Sequence, residues 1–169
     1  MIDNIVASSG VYHIQQLQEA EPEVWLDLCR AATQAQRQIR MESQTTGHSY
    51  LTICEHSGNT PLRFDDSFIG LGVISFNGCR ARQQAGDAFI LTRGMRQITE
   101  YCCNTDNQPY SFLVRVMLLL ANHYCPGTWQ FITDILESDW IHSAGWITQY
   151  LNITLSPLNP PSQIYPFSE

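Results

Sequence analysis

The segment PYSFLVRVMLLLANHY, residues 109–124, decides how the chain is read. Pro109 suits the first turn of a helix, and Pro126-Gly127 stops it. Between them Phe112, Leu113, Val114, Val116, Met117, Leu118, Leu119 and Leu120 leave almost no polar face. An apolar surface all round marks a buried helix, and this one is too short to span a bilayer. Leu113, Met117 and Leu120, at spacings of three and four, are its expected core contacts.

Outward from this helix the pattern predicts more helices. Over 22–42, Val24, Leu28, Ala31, Ala35 and Ile39 form one apolar stripe, with Pro22 and Glu23 in the first turn. Val11, Ile14 and Leu17 suggest a short helix at 11–20. Asp65-Asp66-Ser67 offers caps for a helix over 66–84, and Asp87 caps one over 88–103. Helices over 128–138 and 139–152 complete the set. Tyr50 to Cys54, the turn Ser57-Gly58-Asn59 and Leu62 to Phe64 predict a small hairpin or ordered loop at 49–64. The expected fold is therefore mainly all-α: a bundle of six to seven helices, with HEAT-like helical pairs as its variant. Residues 1–155 form one helical domain in this reading. Residues 156–169, with Pro157, Pro160, Pro161 and Pro166, form an extended tail.

Charge narrows the function. The chain has 169 residues, 16 acids against nine bases, and a net charge of −7, which disfavours a binder of nucleic-acid backbone. All nine bases are arginine, so every mechanism that needs a lysine nucleophile or a phosphate-loop lysine is excluded. Residues 97–169 carry six acids and a single base, Arg115. An acidic surface of this kind steers a basic partner. No apolar run is long enough for a membrane span, and Met1–Gly10 lacks the pattern of a secretory signal. Cys29, Cys54, Cys79, Cys102, Cys103 and Cys125 show neither a CxxC nor a disulfide-scaffold spacing. They read as reduced thiols of a cytoplasmic protein.

No constellation carries chemistry. Cys54, Glu55 and His56 are too close along the chain to meet as nucleophile and base. His13, His48, His56, His123 and His142 are scattered. Gly70-Leu71-Gly72 lacks the third glycine of a phosphate cradle. The expectation is no enzyme, no cofactor and no metal. Asp134, Glu137 and Asp139 lie close in sequence to Trp129 and Trp140, and acids around aromatic anchors suit a binder of a basic protein surface. These five are the candidate partner-binding residues. The expected function is a non-catalytic protein-binding module, a small acidic inhibitor of the immunity-protein kind.

Asp139-Trp140-Ile141-His142-Ser143-Ala144-Gly145-Trp146 also resembles the second homology region of the B-cell-lymphoma (anti-apoptotic) family. There a Trp-aliphatic pair precedes a Gly-Trp near the end of an all-helical domain. Asn77-Gly78-Cys79-Arg80 is similar to that family's Asn-Trp-Gly-Arg signature, whose Arg holds the Asp of a bound peptide helix. The resemblance implies an alternative function, a helix-groove-binding regulator of apoptosis. The chain departs from the pattern in three ways. The signature Trp is absent, the two late Trp are one residue closer together, and Arg82, Gln83, Gln84 and Gly86 stand where the family has a buried apolar helix.

Overall fold

In the computed structural model the described residues are 9–46, 51–62, 72–95 and 99–156. Alternation of side chains builds the first element. Tyr12, Ile14 and Gln16 of strand β1 (Val11–Gln16) point inward, while His13 and Gln15 face out. β1 is the middle of a three-stranded antiparallel sheet, between β4 (Glu100–Asn104) and β5 (Trp129–Thr133). Tyr12 pairs with Cys103 and Thr133, and Ile14 with Tyr101 and Phe131. A second antiparallel pair joins β2 (Val73–Phe76) to β3 (Phe89–Thr92), with the Phe76 and Phe89 rings 5.0 Å apart.

Three helices bury the sheet's inner face. The longest, α1 (Pro22–Thr46), turns Leu28, Ala32, Ala35 and Ile39 inward, and its Trp25 ring lies 6.2 Å from that of Trp129 on β5. α2 (Ser111–Tyr124) is the central helix, with Leu113, Val114, Val116, Met117, Leu118 and Leu120 fully buried. α3 (Glu137–Trp146) follows β5 and stacks Trp140 on Phe131 at 5.9 Å. It runs into a π-turn, Ile147–Leu151, which ends at Asn152 in the left-handed region, φ 56°.

The fold is thus α/β, not an all-α bundle of six to seven helices or a HEAT-like stack. The helices expected at 22–42 and 109–124 are α1 and α2. Those expected at 11–20 and 128–138 are β1 and β5, and the one at 88–103 is split between β3 and β4, with residues 96–98 outside the described set. Residues 73–76 of the helix expected at 66–84 are β2, and Arg80–Arg82 is a single 3₁₀ turn. The proposed start of that helix lies outside the described residues. So do residues 1–8, most of the tail at 156–169 and both ends of the 49–64 hairpin. Within 51–62 the hairpin reduces to a turn closed by a bridge between Cys54 and Pro61.

The errors at β1 and β5 share a cause: polar side chains sit on inward positions of these strands and disguise the period of two. Gln16 is buried because Arg93 O and Gln18 O accept from its Nε2, and Thr92 Oγ1 donates to its Oε1. Thr133 is buried with its hydroxyl donating to Val11 O at 2.7 Å.

Candidate functional site

The structure separates the five residues expected to form a binding face. Trp129 and Trp140 are core residues, each only 5% exposed. Trp140 is held so deep that its indole N–H has no hydrogen-bond partner. Asp134 serves the chain itself. Its carboxylate accepts from Ser9 N, Ser9 Oγ and Val11 N, fastening the lead into β1 beside β5. Partial burial raises its pKa, but these hydrogen bonds outweigh that and hold it below the ordinary carboxylate value. Glu137 is exposed and Asp139 half-buried, both in the first turn of α3, where acids complement the helix dipole. The structure leaves these two acids on α3 without the tryptophan anchors.

The same helix borders a feature that sequence reasoning missed. Beside α3 lies an open groove of about 700 Å³. Phe112, near the start of α2, forms its floor with Trp146. The two rings meet edge to face at 5.2 Å, and Phe112 also lies 5.8 Å from the His142 ring. Tyr150, on the π-turn, extends this aromatic row, 5.8 Å from Trp146. Glu42 of α1 and Leu51 also line it. Glu42 Oε1 accepts from the Trp146 indole at 3.0 Å and fixes that ring. Ile141 stands on the wall with 65% of its surface exposed.

Gly145 lies one helical turn after Ile141 on this outward face, and a Cβ there would meet nothing within 4 Å. The chain needs no glycine here to avoid a clash. Its absence of side chain leaves a notch in the wall through which another backbone can approach. The π-turn that follows is a rare geometry that recurs at functional sites, and it carries Gln149 and Tyr150 to the groove's end.

Behind the floor is a buried cation. The Arg115 guanidinium lies 5.8 Å from the Phe112 ring centre. Its Nε donates to Ser143 Oγ at 3.0 Å, and Nη1 reaches Ser111 Oγ at 3.5 Å. Ser143 donates onward to Asp139 O, and Ser111 Oγ lies 2.7 Å from the Tyr12 hydroxyl. Burial pushes the Tyr12 phenol up to about 12 against the pull of Arg115, so it stays a neutral hydroxyl in this network. The network joins β1, α2 and α3, and it holds the groove floor rigid from beneath.

No group of three or more metal-ligating side chains occurs among the described residues. No helix among them is long and apolar enough to cross a membrane. Comparison with protein-family models, curated proteins and solved structures gives no match.

Proposed function

We propose that the protein is a non-catalytic binding module that grips a basic segment of another protein in the groove along α3. The observation that carries this reading is a groove floored by half-buried Phe112 and a largely buried Trp146, beside an exposed Ile141 and the Gly145 notch. Apolar side chains with a preformed cleft beside them are what a partner's anchor residue needs. Charge supports the choice of partner. Glu42 lines the groove, Glu137 and Asp139 open α3, and the one base in residues 97–169, Arg115, is buried. The occupant is therefore an extended or helical segment with one or two bulky apolar residues flanked by Lys or Arg. Action as a small acidic inhibitor, masking a basic surface, and a cytoplasmic setting belong to the same proposal.

The apoptosis-regulator alternative loses its support, because the all-helical frame that it implies is replaced by an α/β one. Its two late tryptophans have separate places here, Trp140 under the sheet and Trp146 in the groove floor.

Selection from a random peptide library tests the proposal. Enriched ligands are expected to combine bulky apolar anchors with flanking basic residues. Their affinity is expected to fall at least about tenfold, a loss of one buried anchor contact, in Ile141→Asp and in Gly145→Arg. Both positions are exposed, so both variants keep the fold. Ligands that bind the two variants as tightly as the natural chain contradict the reading.

A further inference from the structure

On the reading of this groove as a site for a basic segment, we infer further that His142 makes its grip dependent on pH. The groove holds the segment at neutral pH and loosens it as the ring gains a proton. His142 is exposed on α3 and lines the groove, one residue after Ile141 and one helical turn before Trp146. Its ring lies against Phe112, with centres 5.8 Å apart and planes at 56°. The imidazole is therefore part of the surface that an occupant covers. Among the described residues neither of its nitrogens has a hydrogen bond or an ion pair. A proton taken up there is not offset by a paired carboxylate, and its charge is added to the groove.

The charged and titratable groups around His142 come from four places. On α3 itself, Glu137 and Asp139 stand in the first turn. From α1, Glu42 lines the same groove. From α2, Arg115 lies behind Phe112, 5.8 Å from the centre of that ring. The π-turn brings Tyr150, whose ring lies 5.8 Å from that of Trp146. Between roughly pH 7.5 and 5.5, carboxyl, guanidinium and phenol groups ordinarily keep their charge state and imidazole does not. Among the residues lining the groove, Glu42 is the acid, and His142 is the side chain able to become a cation in that range. Protonation of His142 thus takes the charge of the lining from that of one carboxylate to zero and removes its attraction for a basic segment. Linkage fixes the sign: the segment and the proton compete, so each weakens the binding of the other. Two like unit charges about 4 Å apart in water repel enough to weaken binding about fivefold, which sets the expected scale.

A library-selected peptide that contains Lys or Arg and no His is the probe. Its binding to the full chain and to His142→Gln is followed by fluorescence anisotropy at constant ionic strength from pH 7.5 to 5.5. With the natural chain the Kd is expected to rise about fivefold over this range. In His142→Gln the rise is expected to stay below about twofold. The position is exposed, so the variant keeps the fold, which circular dichroism checks at both pH values. A Kd that rises in parallel for the natural chain and the variant overturns the inference, and so does a Kd that does not move. Either result leaves the groove standing as a site for a basic segment, as long as Ile141→Asp weakens the peptide at pH 7.5. A library that yields no ligand dependent on Ile141 at pH 7.5 contradicts the groove itself, and the role of His142 falls with it.

Discussion

Glycine within an exposed helix costs about 0.5–1 kcal/mol relative to alanine, because it gives up more backbone freedom on folding. Gly145 stands in α3 with open space around it, so nothing inside the molecule requires that cost. Gly145→Ala is accordingly expected to stabilise the chain by about 0.5–1 kcal/mol in urea unfolding, while narrowing the groove. Asp134 is the opposite case, a residue whose value is internal. Asp134→Asn is expected to cost about 1–2 kcal/mol at pH 7, the range of hydrogen bonds to a charged group discounted for partial exposure. The sign in pH follows from its lowered folded pKa. Its contribution is complete above the unfolded carboxylate value, roughly 4, and disappears as pH falls through the folded one. The stability gap between the two proteins, followed from pH 7 downward, should therefore close in acid. Neither role was legible in the sequence. Asp134 was visible as an acid near aromatics, but its partners, Ser9 and Val11, lie more than a hundred positions away.

At the level of elements, the two helices with the strongest apolar pattern were legible and the strands were not. α2 could be read because Leu113, Met117 and Leu120 are backed by apolar neighbours on every side, and all three are fully buried. Met117→Ala should lose about 2–4 kcal/mol, measured by denaturant unfolding, for the cavity that it leaves. A loss below about 0.5 kcal/mol, as at an ordinary surface position, would contradict the central place of α2. β1 and β5 were missed because Gln16 and Thr133 stand on inward positions, satisfied by partners from distant strands and loops. On α3 the sequence shows Trp140, Ile141, Trp146 and Ile147 as apolar side chains of one helix and does not assign them to faces. One residue is about 100° of rotation on a helix, and that step carries Ile141 out to the groove wall while Trp140 stays under the sheet. The outward pair Ile141 and Gly145, four apart, was the signal that could have found the groove.

For the whole molecule, an acidic chain with no lysine has an open groove beside α3, lined mostly from the part of the sequence where acids outnumber bases six to one. The proposed occupant, a basic segment with an apolar anchor, rests on those two facts. The outward face of the sheet, where exposed His13 of β1 lies between exposed Cys102 of β4 and Ile132 of β5, is a separate surface. Amide chemical-shift mapping separates the two surfaces in a single titration. With a library-selected basic peptide added to the isotope-labelled protein, the largest shifts are expected at Ile141, His142, Gly145, Trp146 and Tyr150, with the Trp146 indole N–H among them. Shifts concentrated on His13, Cys102 and Ile132, with Gly145 and the Trp146 indole unmoved, would contradict the account.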